Sequence, residues 1–249
     1  MSLDQNNPYT TMQKAWYEAE SSFMRVENHR FHDSNPDYNS ILFGSVVENP
    51  DRWKGKTALE FGCGCGRNVL NLSALASWSR VDGCDISEEN IRFCSTLASS
   101  TSQFFVTSGI DCGKTLDKSY DFVFSTIVLQ HICVHEIRLA ILKDIYRVLK
   151  PGGTFSFQMG YDGPDAESKI AEIPVFSGNQ RDRNYTRIQY FENRYNEVKT
   201  NSHADTMVEN PEFLVSDLKS AGFRDISFQI RRPWCDDKHP AWIFVSCSK

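Results

Sequence analysis

The sequence lacks several patterns that would define its class directly. No window approaches about 18 uninterrupted apolar residues, so the sequence predicts no transmembrane helix. The opening stretch MSLDQNNPYTTMQKAW has no basic segment followed by an apolar one, and it therefore does not read as a secretory signal. The eight cysteines form no CxxC pair and no zinc-ligand spacing. We expect reduced thiols in a cytoplasmic protein with no metal site.

The sequence also has no excess of basic over acidic residues. The 27 Lys and Arg residues stand against 32 Asp and Glu residues, which gives a net charge of −5. Because affinity for nucleic acid comes mainly from neutralising phosphates, this balance argues against a nucleic-acid partner. The length of 249 residues, with 40% apolar and 24% charged residues, is typical of one large globular domain with its own core.

Short apolar runs alternate with helical patterns from residue 56 onward. Strands are predicted at 57–62, 80–86, 103–108, 120–129 and 154–160, separated by helices at 67–78, 87–98 and 134–150. Such alternation indicates right-handed βαβ units and a parallel sheet with helices on both faces. A helix over 210–223 precedes two apolar runs, 224–230 and 241–247. Nothing helical separates those runs, so an antiparallel hairpin is predicted.

The breaks in this pattern divide the chain into four parts. Residues 1–55 form a helical N-terminal cap, and residues 56–160 form the α/β core. Residues 161–207 are an insertion after the fifth strand, where a lid over the substrate is expected. Residues 208–249 supply the helix and hairpin that complete the core.

The stretch ALEFGCGCGRN (58–68) places three glycines at alternate positions between a predicted strand and a predicted helix. Such a bare backbone suits the close approach of a ligand. The dinucleotide fingerprint GxGxxG would require a glycine where Arg67 stands. The observed spacing fits a loop that holds an amino-acid moiety and a ribose better than one that holds a pyrophosphate. A glycine-rich turn without a ligand is the alternative.

Acidic residues follow the second and third predicted strands. Asp85 stands where a carboxylate can accept hydrogen bonds from both hydroxyls of a ribose, although it could instead cap the helix that begins near Ser87. Asp111, in SGIDCG, could accept from the exocyclic amine of an adenine. An Asx-turn beside Gly109 and Gly113 is the alternative for Asp111.

These motifs resemble those of the class I S-adenosylmethionine-dependent methyltransferases, in their order and spacing. The segments are ALEFGCGCGRN, VDGCDIS, SGIDC, SYDFVFSTIVLQHI and YRVLKPGGTFSF. The resemblance covers residues 56–160, and the helix and hairpin over 211–248 extend it. It implies a three-layer α/β sandwich with a seven-stranded, mostly parallel sheet whose last strand is antiparallel, the Rossmann-like methyltransferase fold. It also implies S-adenosyl-L-methionine (SAM) as the cofactor and S-adenosyl-L-homocysteine (SAH) as its product.

The resemblance further implies which residues contact the methionine part of SAM. The backbone of Gly62, Cys63 and Gly64 would approach it. Glu60, in place of the aspartate common in this motif, would orient the amino group, and Thr126 would line the floor beside the sulfonium.

The adenosine part is assigned in the same way. Asp85 would hold the ribose, and Ile86 would lie against the adenine. Ile110 and Asp111 would border the edge of the adenine ring.

A general base is suggested by His131, in LQHI just past the fourth predicted strand and therefore on the ligand side of the sheet. Histidine titrates near neutral pH, which suits proton abstraction from a hydroxyl. The alternative is a histidine that shapes the floor of the cofactor site or caps the next helix. Tyr161, past the fifth strand, is on the same side and is a candidate substrate contact.

The insertion carries arginines among aromatic residues in RDRNYTRIQYFENRY. Arg181, Arg183 and Arg187 present planar forks that could bind a phosphate, a carboxylate or a sugar acid. In the alternative interpretation, these arginines pair with acidic neighbours on an exposed segment.

These features predict a SAM-dependent methyltransferase that O-methylates a small polar acceptor, such as a sugar, an activated sugar or a secondary metabolite. N- or carboxyl-methylation of a small metabolite or a protein is an alternative. A nicotinamide-dependent oxidoreductase and a non-catalytic binding module are alternatives of other classes. The hairpin and Arg67 argue against the oxidoreductase, and the glycine loop together with Asp85 argues against the binding module.

Overall fold

The computed structural model of this chain describes residues 7–19, 40–166, 185–197, 203–231 and 239–249. The strands are β1 (Thr57–Phe61), β2 (Arg80–Asp85), β3 (Phe104–Val106), β4 (Tyr120–Ser125), β5 (Leu149–Tyr161), β6 (Tyr185–Ile188), β7 (His203–Thr206), β8 (Arg224–Arg231) and β9 (Ala241–Ser248). The α-helices are α1 (Pro8–Ala19), α2 (Gly44–Glu48), α3 (Arg67–Leu75), α4 (Glu88–Ser95), α5 (His135–Val148) and α6 (Pro211–Ala221), with 3₁₀ turns at Pro50–Trp53 and Leu129–His131.

Seven of the strands form one sheet in the order β3-β2-β1-β4-β5-β9-β8. The pairs from β3 to β5 are all parallel, whereas β9 is antiparallel to both β5 and β8. The predicted fold class and the predicted terminal hairpin are therefore confirmed. The chain order reverses between β1 and β4, and a parallel sheet binds its ligands at the carboxyl ends of strands beside such a reversal.

Each face of the sheet is covered by its own cluster of apolar side chains. Because successive side chains of a strand point to opposite faces, Leu59 and Val123 pack with α5, while Ala58 and Phe122 pack with α2 and α3. The strands of the centre are buried on both sides, which explains why they appear in the sequence as nearly continuous apolar runs. The result is the predicted three-layer sandwich.

Two boundaries differ from the prediction because of local backbone geometry. The predicted strand over 120–129 is too long: β4 ends at Ser125, and Ile127 has a φ of 56°, which interrupts the extended backbone. The segment Pro151–Gly153, which lies between the helix predicted at 134–150 and the strand predicted at 154–160, is part of β5. Tyr120 pairs with Leu149 and Phe122 pairs with Thr154, so this glycine-rich segment forms a bulge in the ladder.

The predicted insertion contributes β6 and β7, which pair parallel in a separate two-stranded sheet. β7 packs against the 3₁₀ turn that follows β4. The buried guanidinium of Arg138, on α5, donates to the carbonyls of Ile132 and Tyr190 and, at 2.9 Å, to the hydroxyl of Thr206. Arg138 thus holds β7 and the residues just after β6 against the domain.

A search of the described segments for a helix long and apolar enough to cross a bilayer finds none.

Candidate active site

The glycine loop after β1 has left-handed backbone at three positions. Gly62, Gly64 and Gly66 have φ values of 74°, 51° and 82°. A Cβ on Gly62 would lie 2.3 Å from the side chain of Val128, and one on Gly66 would lie 3.1 Å from the sulfur of Cys94. A Cβ on Gly64 would meet no described atom within 4 Å. Gly62 and Gly66 therefore make room for protein side chains, whereas Gly64 borders open space.

Asp85, at the end of β2, is held by the backbone around it. One carboxylate oxygen accepts from the Gly64 amide at 2.8 Å and the other accepts from the Ser87 amide at 2.9 Å. Burial raises the pKa of Asp85, and these hydrogen bonds oppose that increase. The cap of α4 is Ser87, whose hydroxyl accepts from the Asn90 amide. The alternative helix-capping role thus belongs to Ser87, and Asp85 faces the glycine loop.

Glu60 is the centre of a buried polar group at the end of β1. Its Oε1 accepts from Asn68 Nδ2 at 3.2 Å and from Thr126 Oγ1 at 3.3 Å, and Asn68 also donates to Thr126 at 2.8 Å. Its Oε2 is buried without a hydrogen-bond partner among the described residues. Burial raises the pKa of Glu60 to about 8, and the donation from Asn68 limits the increase. Sequence reasoning missed Asn68, whose only signal is its place in the first turn after the glycine loop.

The segment after β3 brings together the residues predicted to border the adenine. Gly109 has a φ of 84°, and a Cβ there would lie 2.6 Å from Cδ1 of Ile86, so the backbone of Gly109 packs against the Ile86 side chain. Ile110 is buried beneath them. Asp111 accepts from the Gly113 amide at 2.9 Å, so the alternative Asx-turn is formed. Ile86 and Asp111 nevertheless line one groove, and their contact with an adenine stays a prediction.

His131 lies beyond β4, at the end of the 3₁₀ turn, and forms a pair with a residue from the predicted insertion. Its Nδ1 is 2.5 Å from Oδ1 of Asp205. The side chain of His131 is 13% exposed, and that of Asp205 is fully buried. The other carboxylate oxygen of Asp205 is 3.2 Å from Nε2 of His239, which is also fully buried. Asp205 therefore lies between two imidazoles.

Sequence reasoning missed both Asp205 and His239, because they are far from His131 in the chain and carry no motif. Within the described ranges, no group of three or more His, Cys, Asp or Glu side chains is arranged to hold a metal ion.

Helix α1 lies across this end of the sheet and is anchored at both of its ends. The Gln13 amide donates to the carbonyl of His131 at 3.1 Å, and the Tyr9 hydroxyl accepts from the Cys133 amide at 2.7 Å. At the other end, the Glu18 carboxylate accepts from the Glu88 amide at 2.7 Å. The helix therefore connects the turn after β4 with the first turn of α4.

Tyr17, on α1, lies near enough to Asp205 and Asp85 to be affected by their charges. Burial raises the pKa of Tyr17 well above its usual value, and the nearby charges of Asp205 and Asp85 raise it further. The phenol of Tyr17 therefore stays protonated at neutral pH.

The residues predicted to contact the acceptor are only partly brought to the site. Tyr161 is buried and donates its hydroxyl to Asp165. Arg187 forms an ion pair with Asp162, which is the acidic pairing of the alternative interpretation. Arg181 and Arg183 lie outside the described residues.

The comparison with protein families agrees with this arrangement. Residues 59–157 match the family model of a methyltransferase domain. This match shows a methyltransferase domain over that stretch, which confirms the predicted resemblance and the predicted enzyme class. Among curated proteins, no sequence matches this chain.

Three solved structures illustrate how widely the fold is shared. One is a chain of a complex that contains the Trm112 methyltransferase activator of Haloferax volcanii, with a TM-score of 0.61, 15% identity and coverage of 93% of this chain and 96% of that chain. A SAM-dependent methyltransferase of Methanosarcina mazei has a TM-score of 0.58, 18% identity and coverage of 82% and 96%. The DhpI–SAH complex has a TM-score of 0.59, 20% identity and coverage of 96% and 95%. At such identities, these likenesses show the fold alone.

Proposed function

We propose that this methyltransferase transfers a methyl group to a hydroxyl of a small polar acceptor, such as a sugar, an activated sugar or a secondary metabolite. The observation that supports it best is the pair formed by His131 and Asp205. An imidazole that donates from Nδ1 to a buried carboxylate carries its basic lone pair on Nε2, which suits proton removal from a hydroxyl.

The residues at the end of β1 fit the methionine part of SAM. The buried Oε2 of Glu60 would accept from an α-ammonium group, which supplies the donor that the described residues do not. The open backbone at Gly64 leaves space for the same part of the cofactor, and Asp85 lies beside it to accept from a ribose. When bound, SAM supplies a methyl group on a sulfonium centre.

The protein's contribution to the chemistry is positioning and proton removal. His131 takes the proton of the acceptor hydroxyl on Nε2, and Asp205 stabilises the imidazolium that this creates. A well-placed general base contributes about 10²- to 10⁴-fold to such a step. Helix α1 covers this end of the sheet and excludes water from the reacting groups.

An anionic acceptor, such as an activated sugar, stays a prediction that depends on three arginines. Arg187 is paired with Asp162, and the other two lie outside the described residues. Methylation of a carboxylate would not use a base, because that acceptor carries no proton at neutral pH.

Two measurements test this function. First, SAH at 100 times its Kd should stabilise the protein by about 2.7 kcal/mol, whereas NAD and NADP should not. Second, SAH production is followed with SAM and a panel of sugars, sugar nucleotides and phenols. With an accepted substrate, His131→Gln should lower kcat by about 10²- to 10⁴-fold without altering SAH affinity.

His135→Gln is the matched control, because His135 also pairs with an aspartate, Asp217 at 2.8 Å, but on the helical layer. It should leave turnover unchanged. Full turnover by His131→Gln, or stabilisation by NAD alone, would contradict the proposal.

A further inference from the structure

A second histidine lies beside the His131–Asp205 pair on which the proposed function rests. His239, just before β9, places Nε2 3.2 Å from Oδ2 of Asp205, while His131 faces Oδ1 at 2.5 Å. The three side chains come from three separate places: the turn after β4, the strand β7, and the segment before β9. Only the tertiary fold brings them together.

The space for His239 is built by the backbone of β5. A Cβ on Gly160 would lie 2.5 Å from Cδ2 and 2.8 Å from Nε2 of the His239 ring. Gly160 pairs with Trp242 in the sheet, and its carbonyl accepts from the Val208 amide at 3.0 Å. The glycine can therefore not shift away from the ring without breaking the ladder.

The burial of the three side chains assigns them different roles. Removing a carboxylate from water is unfavourable unless hydrogen bonds or a cation compensate. His131 forms a hydrogen bond with Oδ1 of Asp205, while Nε2 of His239 lies 3.2 Å from Oδ2 without hydrogen-bond geometry. Asp205 and His239 are fully buried, whereas His131 retains an exposed portion. Of the three, His131 alone has surface through which to meet an acceptor.

We propose that His239 is a positioning residue for methyl transfer, acting through Asp205 on His131. The proposal rests on the function proposed above. His239 places Nε2 3.2 Å from one oxygen of Asp205, a contact without hydrogen-bond geometry, and this close packing holds the carboxylate in the plane in which its other oxygen accepts from Nδ1 of His131. That contact fixes the tautomer of His131 with Nε2 unprotonated.

The proton balance of the step follows from this arrangement. The acceptor's proton moves to Nε2 of His131 and later leaves to solvent through the exposed part of the ring. Asp205 and His239 keep their own protonation states throughout. They set the orientation of the base without exchanging a proton with the substrate.

The first test reads the tautomer directly in the wild-type protein. With ¹⁵N-labelled histidine and SAH added, the spectrum contains the signals of six histidines, which single substitutions assign. We expect His131 to carry its proton on Nδ1 in the wild type. In Asp205→Asn and in His239→Leu, this single tautomer should be replaced by a mixture. A wild-type His131 protonated on Nε2 would overturn the proposal without the need for any variant.

The second test separates positioning from folding by kinetics. His239→Leu should lower kcat by about 10- to 100-fold, the size usual for residues that orient another group, and should leave SAH affinity unchanged. His239→Gln retains an N–H near Asp205 and should restore most of the activity. Gly160→Ala, which displaces the ring without altering it, should reproduce the loss. Asp217→Asn, which removes the carboxylate partner of His135, is the matched control and should leave kcat unchanged.

The outcomes distinguish this inference from the proposed function. If His131→Gln loses turnover while His239→Leu and Gly160→Ala retain it, His239 is only structural and the inference fails alone. If His131→Gln keeps full turnover, the proposed function fails first. A metal ion found between the three side chains would also overturn the inference.

Discussion

Asp85 and Gly64 are joined by a hydrogen bond of 2.8 Å, so the carboxylate that ends β2 holds an amide of the glycine loop that follows β1. The two strands are neighbours in the sheet, with Phe61 paired to Cys84. The bond therefore fixes the loop from the adjacent strand. The same carboxylate is proposed to meet the ribose, and it can support the loop and the ligand from one position.

Asp85→Ala should abolish the thermal stabilisation by SAH, because it removes both the ribose acceptor and the support of Gly64. The measurement is the shift in Tm on adding SAH. Asp82→Asn is the control: Asp82 is a buried aspartate on the same strand, and it accepts from the Tyr120 hydroxyl at 2.7 Å. This variant should lower Tm but keep the shift. An unchanged SAH shift in Asp85→Ala would refute the assignment of Asp85.

Glu60 should make the stability of the ligand-free protein depend on pH. Burial raises its pKa from 4.5 in the unfolded chain to about 8 in the folded protein. Between these values the folded state binds the proton more tightly, so the unfolding free energy should fall as pH rises from 4.5 to about 8. Below 4.5 this stabilisation is fully present. Urea unfolding across this range should give a weaker pH dependence for Glu60→Gln.

SAH binding should release a proton from Glu60 near pH 7. The carboxyl is largely protonated there in the free protein, and an α-ammonium beside Oε2 favours the ionised form. Calorimetry in buffers of different ionisation enthalpy measures this release. Glu60→Gln should bind SAH more weakly and without releasing the proton. Equal proton release by both proteins would show that Glu60 does not meet the ammonium group.

Gly62 and Gly64 should respond differently to alanine. Gly62→Ala creates an overlap with Val128 and should cost about 1–3 kcal/mol of unfolding free energy beyond the backbone strain. Gly64→Ala meets no described atom and should cost only the strain of its left-handed backbone, about 1–2 kcal/mol, but it should weaken SAH binding. Adding Val128→Ala should restore part of the stability lost in Gly62→Ala, and it should restore none of the stability lost in Gly64→Ala. Equal rescue of both variants would contradict this distinction.

Arg138→Met should destabilise the protein and loosen the β6–β7 sheet. The carbonyls of Ile132 and Tyr190 would lose a buried donor, at about 1–3 kcal/mol each. Urea unfolding gives the stability, and limited proteolysis reports on the insertion. Arg194→Met is the surface control and should change stability by less than about 0.5 kcal/mol. A more stable Arg138→Met protein would mean that burying the guanidinium, which lowers its pKa, outweighs its hydrogen bonds.

The sequence predicted the sheet well because its strands carry local signals. Buried parallel strands such as β1 are continuous apolar runs, and the residues at their ends occur in a fixed order. This allowed Glu60 and Asp85 to be placed correctly at the carboxyl ends of neighbouring strands. The end of β4 was misplaced because an isoleucine, Ile127, adopts a left-handed conformation that its residue type strongly disfavours.

The second half of the site could not be predicted, because its contacts are not local. Asp205 stands 74 positions from His131, and no periodicity or spacing indicates that pair. The ring of His239 occupies space that a side chain on Gly160 would fill. The sequence alone does not show that these two residues are in contact. His131 was thus predicted as a base without the two side chains that lie beside it in the fold.

The anchoring of α1 bears on which step limits the rate of the catalytic cycle. This helix bridges the turn that carries His131 and the first turn of α4, and its Tyr17 lies near both Asp85 and Asp205. If SAH binds at Asp85 as proposed, we expect it to leave only when the contacts of Gln13 and Glu18 open. Release of the by-product, not bond formation, would then set the turnover number, as in many enzymes whose sites are closed by a mobile segment. A rapid first turnover followed by slower steady cycling is the kinetic pattern that such a bridge produces.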